Sequence, residues 1–465
     1  MESTCSQFRF ENYYNDVNSC EPTSAMVTTT PLETAQVVIH TFFTIIPIIF
    51  SVFASHIASL KITFANDLWK YLFDFCLIVV PIVLNVTILN PYVEVICVIL
   101  MIILFVILRR MEINPLECKQ RVLSLGHQPN SLTLIRSTIN IITAVCILAI
   151  DFSTFPLSFR KSRFYGVGLM DTGIGLFVFS MGIVSKPPKT GKDFLKIPKV
   201  VGPVLFLGLA RTIVIQTINY HQDDTEYGKH LNAFFTLGLT KLFGGLISSV
   251  VGSELQLLLL GMFILTTHEC LLLYNVADYV MNRKEDRSTF FVANREGFCS
   301  LPGFVAIYLL AMYIGRFLFS ETTLMVEEYS KKVKRFAIMA ALAWIITFIC
   351  IPTIRISRRI SNFGYVSWTF SIALTILLLY IIMSDYVFYA WSTTGGEYKL
   401  PSLMEATNRN GLVFFLVANV LTGCVNMFLN PSDRSPVTSI VILSLYMLLS
   451  SSLVYILLRL RIKIA

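Results

Sequence analysis

Charged residues are scarce in this 465-residue chain, in which Asp, Glu, Lys and Arg together make up only 14%. In soluble proteins roughly a quarter of all residues are charged, because the surface of the protein faces water. Hydrophobic residues, in contrast, make up 55% of the chain and include 36 Phe. The composition excludes a soluble enzyme, a secreted disulfide scaffold and a disordered protein, and it predicts a polytopic membrane protein.

Other common features are also missing. The ten cysteines include no CxxC pair, and most lie in apolar runs, where we expect small core residues. The first apolar run has no basic segment before it, so no cleavable signal peptide is expected. No soluble linker, low-complexity tract or internal repeat is visible. Whether Cys5 and Cys20 form a disulfide depends on the side of the membrane on which they lie.

Thirteen apolar runs suit membrane-spanning helices, each of which takes about 20 residues. The runs cover residues 37–54, 71–88, 92–108, 134–150, 165–184, 200–218, 231–251, 255–273, 300–319, 336–353, 363–383, 411–428 and 437–458. We therefore predict an all-α polytopic membrane protein with about thirteen helices in one bundle. A polar lumenal segment, 1–35, precedes a single multi-span domain, 36–465.

The predicted orientation follows from the basic residues, which collect in cytosolic loops. With a lumenal N-terminus, the cytosolic loops hold 19 of the 37 Lys and Arg residues and the lumenal segments hold 13. An odd number of spans then places the C-terminus in the cytosol. The net charge of +8 is a membrane feature in this interpretation and does not predict nucleic-acid binding.

The lumenal basic residues run against this charge bias and concentrate within 160–163, 283–295 and 355–359. Two explanations stay open. An anionic substrate is one, and local neutralisation by neighbouring acidic residues is the other. The acidic residues concerned are Asp151, Glu285, Asp286 and Glu296.

Asp151 ends the fourth apolar run, and Pro156 turns the chain at that membrane boundary. Lys161 follows in the same connection. A partly dehydrated carboxylate has a raised pKa, which suits a general base. A neighbouring lysine would orient that base or stabilise an oxyanion, although a simple salt bridge in the loop explains the spacing as well.

Asp171, Gly175, Val178 and Gly182 lie on one face of the next helix, where small residues predict close packing. An ionisable residue on such a face indicates function in a membrane protein. The alternative is a buried aspartate bonded to a neighbouring helix.

The connections after runs four, six, eight and ten lie on one side of the membrane if the chain has thirteen spans. They hold Asp151 with Lys161, Glu226 with His230, Asn294 with Arg295, and Arg358 with Arg359. We therefore expect one lumen-facing site. His230 has no second His or Cys at ligand spacing, so no metal is expected, and orientation of a polar headgroup is the preferred role.

Seven motifs follow one another along the chain between residues 151 and 427. They are Asp151-Phe-x-x-Phe155-Pro156 with Lys161, Met170-Asp171-x-Gly-x-Gly-x-Phe-Val-Phe-Ser180, Leu205-Phe-Leu-Gly-Leu-x-Arg211, Glu226-Tyr-Gly-x-His230-x-Asn232, Ala293-Asn-Arg-Glu-Gly297, Ser357-Arg-Arg359, and Asn410-Gly-Leu followed by Ala418-Asn419 and Asn426-Met427. Together they resemble the inositol acyltransferases of glycosylphosphatidylinositol (GPI)-anchor biosynthesis, the PIG-W type. Leu231 and Ala233 stand where that family tends to have aromatic residues.

The resemblance implies a multi-pass enzyme of the endoplasmic reticulum. Such an enzyme moves a fatty acyl chain, commonly palmitoyl, from acyl-CoA to the inositol 2-hydroxyl of glucosaminyl-phosphatidylinositol on the lumenal side. The catalytic Asp and Lys of the family correspond to Asp151 and Lys161. No cofactor is implied besides acyl-CoA as co-substrate, and the expected partners are these two substrates and membrane lipids.

Direct transfer is expected, because no motif pairs a Cys or Ser with a base. Arginine suits phosphate groups of CoA or lipid. The candidate substrate-binding residues are Asp171, Ser180, Arg211, His230, Asn232, Asn294, Arg295, Arg358, Arg359 and Asn419. The competing function is a secondary transporter, which intramembrane charges such as Lys241 and Glu269 would suit, although transporters usually carry an internal repeat. A third possibility is a noncatalytic membrane subunit.

Overall fold

The computed structural model describes residues 30–62, 64–110, 122–124, 129–217, 224–282, 287–387 and 400–464. Cys5 and Cys20, and the acidic residues Glu285 and Asp286, lie outside the described residues.

A helix forms at each of the thirteen apolar runs, as far as the structure describes them. The helices are α1 Pro31–Lys61, α2 Asp67–Val86, α3 Val93–Arg110, α4 Asn130–Ala149, α5 Thr172–Ile183, α6 Lys196–Thr217, α7 Ala233–Ser248, α8 Glu254–Leu271, α9 Arg295–Phe319, α10 Val326–Thr353, α11 Phe363–Tyr380, α12 Gly411–Leu429 and α13 Pro436–Arg459. Ten helices in the described ranges are long and apolar enough to cross a membrane, and three further apolar helices are shorter. The all-α polytopic architecture is confirmed, whereas thirteen spans and the orientation stay predictions.

Two short strands depart from the all-helical prediction. Strand β1, Val122–Ser124, pairs antiparallel with β2, Thr323–Met325, so that the connection after α3 meets the connection after α9. Three-residue strands are too short to produce a recognisable alternation of apolar and polar residues.

Polar residues start the helices that border the site described below. Asn232 caps α7, where its Oδ1 accepts a hydrogen bond from the backbone N–H of Phe234 at 3.0 Å. Asn362 caps α11 in the same way, through the N–H of Tyr365 at 3.1 Å. Each cap supplies an acceptor to a helix N–H that has no partner within the helix.

Helix α5 lies inside the bundle, as its small residues predict. A Cβ atom added to Gly175 would lie 2.8 Å from the hydroxyl of Tyr365, and one added to Gly182 would lie 2.5 Å from the carbonyl oxygen of Tyr308. With 12 residues, α5 is only about 18 Å long, which is shorter than the roughly 30 Å hydrocarbon core. The connection that precedes α5 is therefore recessed into the bundle, and Asp171 is fully buried.

The connections divide into two groups, which meet at opposite ends of the bundle. After even-numbered helices, Lys161 of the α4–α5 connection contacts Glu226 of the α6–α7 connection. After odd-numbered helices, Lys189 of the α5–α6 connection bonds the carbonyl oxygen of Val251 in the α7–α8 connection. This is the arrangement expected when successive helices run in alternate directions.

The cysteines of the apolar runs are only partly buried. Cys97, Cys146 and Cys350 are buried, whereas Cys76 and Cys424 are exposed. The expectation of core cysteines is therefore right for three of these five and wrong for two. A helix that is apolar all round carries no pattern that indicates which of its faces packs inward.

Candidate active site

Asp151 lies just beyond α4, in the connection to α5. Its Oδ2 accepts a hydrogen bond of 2.9 Å from Nδ2 of Asn426, near the end of α12. Burial raises the pKa of the Asp151 carboxyl above its usual value, against the lowering effects of the Asn426 hydrogen bond and the nearby Arg160 charge. The direction is the one that the sequence predicts for a carboxylate at this boundary.

Lys161 lies in the same connection but has a different partner. Its Nζ is 2.9 Å from Oε1 and 3.1 Å from Oε2 of Glu226. The direct Asp151–Lys161 ion pair that the spacing suggested is not formed among the described residues. Both side chains therefore belong to one connection, yet each is held by a different part of the chain.

Glu226 joins Lys161 to the interior of the bundle. Its Oε1 also accepts a hydrogen bond of 3.2 Å from Nη2 of Arg358. Burial by itself would raise the pKa of Glu226, but the positive charges of Lys161 and Arg358 outweigh it and hold the pKa at about 2. Glu226 is therefore ionised at physiological pH, and its ion pair with Lys161 persists.

Arg358 continues this network to Asp171, which precedes α5. Its Nε donates to Oδ1 of Asp171 at 2.8 Å, and the backbone N–H of Ser162 donates to Oδ2 at 2.9 Å. Lys161, Glu226, Arg358 and Asp171 together have two positive and two negative charges. We call these four residues the balanced cluster.

A second group of charges surrounds Glu296, in the first turn of α9. Its Oε1 lies 2.6 Å from Nη2 of Arg287 and 2.9 Å from Nη2 of Arg359. Nε of Arg295 is 3.8 Å from the same oxygen. We call Glu296 and these three arginines the Glu296 cluster.

Asn294 ties the α6–α7 connection to the start of α9. Its Oδ1 accepts hydrogen bonds from the backbone N–H groups of His230 at 2.8 Å and Leu231 at 3.1 Å. Its Nδ2 lies 3.0 Å from Nδ1 of His230. Gly228 permits this close approach, because it has φ +101° and a Cβ there would be 2.4 Å from the Cα of Asn294.

The turn that carries Arg358 is held from α8. Nε2 of His268 lies 2.9 Å from the carbonyl oxygen of Ile360. Oε2 of Glu269 accepts a 2.7 Å hydrogen bond from the backbone N–H of Phe363, at the N-terminus of α11. His268 and Glu269 thus hold the turn that contains Arg358 and the start of α11 in place. Among the described residues, they belong to neither cluster of charges.

Besides His230 and Asn294, four more of the candidate residues belong to neither cluster. Asn232 caps α7, and its Nδ2 donates to the carbonyl oxygen of Gly208 at 2.9 Å. The side chains of Ser180 and Asn419 bond carbonyl oxygens of their own helices. Arg211 is exposed on α6 and contributes to the lowered pKa of Glu226.

Sequence reasoning missed the partners of Asp151 and Lys161 at this end of the bundle, and it did not single out Arg287. Glu226 and Asn426 are part of the quoted motifs, but their contacts with Lys161 and Asp151 were not expected. Arg287 was seen only as one of several lumenal basic residues, and no motif distinguished it. Spacing along the chain carries no signal for such contacts, because the partners of Asp151 and Lys161 are 275 and 65 residues away.

The comparisons with known proteins agree with the motifs. The model of the GWT1 family matches residues 23–457. GPI-anchored wall transfer protein 1 of Schizosaccharomyces pombe is 34% identical over 330 residues, which are 68% of this chain and 69% of that protein. The protein of the same name from Saccharomyces cerevisiae is 32% identical over 422 residues, or 81% of this chain and 85% of that protein. The chain therefore belongs to the GWT1 family, the multi-pass membrane proteins of GPI-anchor biosynthesis that the motif resemblance predicted.

Proposed function

We propose that the chain transfers a fatty acyl group, palmitoyl in the first instance, from acyl-CoA to the inositol 2-hydroxyl of glucosaminyl-phosphatidylinositol. The reaction takes place at the lumenal face of the endoplasmic reticulum membrane. One observation carries the proposal beyond family membership. The recessed connection between α4 and α5 presents both a carboxylate with a raised pKa, Asp151, and an ammonium group, Lys161.

Asp151 acts as the general base in this proposal. The inositol oxygen forms a bond to the acyl carbon while its proton passes to Asp151, and the carbon–sulfur bond then breaks. The proton leaves Asp151 for the departing CoA thiolate, so the carboxylate is restored. A raised pKa suits this role, because a base works best when its pKa approaches the operating pH.

Lys161 stabilises the negative charge that develops on the thioester oxygen. Its side chain is 37% exposed, so it retains access to a substrate while Glu226 holds it in place. The sequence suggested that Lys161 would also orient the base. In this proposal Asn426 orients Asp151, because its side chain contacts the Asp151 carboxylate.

The decisive assay measures acylation of glucosaminyl-phosphatidylinositol by microsomes supplied with palmitoyl-CoA. Asp151→Asn and Lys161→Ala are each expected to lower kcat by at least about a hundredfold, the usual contribution of a general acid–base or oxyanion-stabilising group. Asp433→Asn, at an exposed aspartate in the α12–α13 connection, is the matched control. Near-normal turnover of both variants would remove the mechanism, whereas substrate flux in proteoliposomes without acyl-CoA would favour a transporter.

A further inference from the structure

Two consecutive residues of the turn between α10 and α11 bond the backbone of the α4–α5 connection. The carbonyl oxygen of Ile356 accepts a hydrogen bond of 2.8 Å from the backbone N–H of Gly166. Oγ of Ser357 donates to the carbonyl oxygen of Phe164 at 2.6 Å. Ser357 is fully buried, so its hydroxyl group would lose this bond without gaining one to water if the connection moved away. Both contacts lie within a few residues of Lys161.

Arg358, the next residue of the turn, holds the same connection at two further points. Its Nε bonds Asp171 at 2.8 Å, and Asp171 in turn accepts the backbone N–H of Ser162, which directly follows Lys161. Its Nη2 bonds Glu226, the ion-pair partner of Lys161, at 3.2 Å. The backbone beside Lys161 and the ammonium group of Lys161 therefore both depend on where the turn lies.

Asn362 fixes the shape of the turn. Its Oδ1 accepts hydrogen bonds from the backbone N–H groups of Ser357 at 3.0 Å and Tyr365 at 3.1 Å. Its Nδ2 donates to the carbonyl oxygen of Arg355 at 2.8 Å. Arg355 and Ser361 have φ +64° and +46°, in the left-handed region that residues other than glycine seldom adopt. Such backbone strain persists only where surrounding contacts over-determine it, and it is typical of functional sites.

We propose that Ser357 and Asn362 are positioning residues for Lys161 in acyl transfer. Asn362 holds the turn in its strained shape, and Ser357 attaches the turn to the α4–α5 connection. Together they fix where the ammonium group of Lys161 stands relative to Asp151. A catalytic group displaced by about 1 Å can lose about a hundredfold in rate. This inference rests on the proposed function, which assigns Lys161 to stabilising the oxyanion.

The kinetics of Ser357→Ala test the role of the hydroxyl group. For acylation of glucosaminyl-phosphatidylinositol by palmitoyl-CoA, we expect kcat to fall about tenfold, the effect of one lost hydrogen bond, with both KM values unchanged. Ser450→Ala is the matched control, because Ser450 is also fully buried and its Oγ bonds the carbonyl oxygen of Tyr446 at 2.8 Å. A kcat of Ser357→Ala no lower than that of Ser450→Ala would overturn the proposal.

A double-mutant cycle separates positioning from a general effect on the fold. In the Lys161→Met background no ammonium group remains to be placed, so Ser357→Ala is expected to lower kcat there by no more than about twofold. A merely structural role predicts the same loss of kcat in both backgrounds, because it would reduce the fraction of folded protein in each. Equal losses would therefore contradict the inference.

Asn362→Ser tests the shape of the turn while protecting α11. Serine caps helices about as well as asparagine, so the N-terminus of α11 retains an acceptor, whereas the shorter side chain cannot also bond Ser357 and Arg355. At a temperature well below the melting temperature of the variant, we expect kcat per folded molecule to fall about tenfold with unchanged KM values. An unaltered kcat per folded molecule would exclude a positioning role for Asn362.

A measurement without turnover follows Lys161 itself. The full chain, purified in detergent, is labelled with a trace of acetic anhydride, and mass spectrometry compares acetylation of Lys161 with that of Lys192, an exposed lysine of the α5–α6 connection. Because the ion pair with Glu226 protects the ammonium group, we expect about fivefold faster acetylation of Lys161 in Ser357→Ala. Ser450→Ala is expected to leave the rate unchanged. An equal rate in both variants would overturn the inference.

Failure of the proposed function gives a different result. Normal turnover of Lys161→Met would refute the catalytic role of Lys161, whereas faster labelling in Ser357→Ala would still show that Ser357 places the ammonium group. The opposite result is an inactive Lys161→Met together with unchanged labelling and kcat in Ser357→Ala. It would refute the inference and leave the proposed function intact.

Discussion

Arg358 and Arg359 are consecutive residues whose guanidinium groups lie in different clusters. Nε of Arg358 contacts Asp171 at 2.8 Å, whereas Nη2 of Arg359 contacts Glu296 at 2.9 Å. The turn between α10 and α11 therefore joins the two groups of charges. One group is balanced and supports Lys161, while the other gathers Arg287, Arg295 and Arg359 around Glu296.

Acyl transfer is expected to decrease at low pH with the titration of Asp151. A base must be deprotonated, and burial raises the pKa of this carboxyl, so kcat falls as the pH decreases through that raised value. The titration of Glu226 does not explain this decrease in kcat, because its pKa of about 2 keeps Glu226 ionised over the pH range in which Asp151 titrates. The measurement is kcat against pH in microsomes, and a rate that stays constant down to the ordinary range of aspartate would contradict the assignment.

In the Asn426→Ala variant, we expect the decrease of kcat at low pH to begin at a higher pH than in the unaltered chain. The hydrogen bond from Asn426 favours the charged form of Asp151, so its loss raises the pKa of the carboxyl further. We expect kcat to fall about tenfold at neutral pH with little change in KM, because loss of one hydrogen bond costs about 1.4 kcal/mol. Ser432→Ala, at an exposed residue after α12, provides the comparison. An unchanged profile would assign Asn426 to packing alone.

Glu226 is expected to act through Lys161, which a double-mutant cycle measures. Glu226→Gln removes the charge that fixes the ammonium group, and Lys161→Met removes the ammonium group itself. If both changes break one interaction, their effects on kcat are non-additive by about 1 kcal/mol or more. Additive effects would mean that Glu226 and Lys161 contribute independently.

The buried pair of Asp171 and Arg358 is expected to control stability. Asp171→Asn leaves Arg358 with Glu226 as its one counter-ion among the described residues, and removing one partner of a buried pair costs about 3–5 kcal/mol. Thermal unfolding in detergent, followed by tryptophan fluorescence, reports this loss. The double variant Asp171→Asn/Arg358→Met is expected to recover part of it, since no uncompensated charge then remains. A melting temperature of Asp171→Asn equal to that of the unaltered chain would contradict this role.

Much of the architecture follows from local sequence properties. Each apolar run forms a helix because a backbone in lipid must satisfy its own hydrogen bonds. The small residues of α5 predicted its packed position, and Gly175 and Gly182 indeed contact neighbouring helices closely. Alternation of the helices also predicted that the connections holding Lys161, Glu226 and Arg358 would meet at one end.

The partners within the site depended on the tertiary structure alone. Asp151 meets Asn426 across 275 residues of sequence, and Asp171 meets Arg358 across 187. Sequence spacing suggested Lys161 as the partner of Asp151, but the recessed connection before α5 brings Lys161 to Glu226 instead. Hydrophobic periodicity is a local property of the chain and determines where helices form. Ion-pair partners depend on how those helices pack, because a charge inside the bundle pairs with whichever opposite charge the fold brings to it.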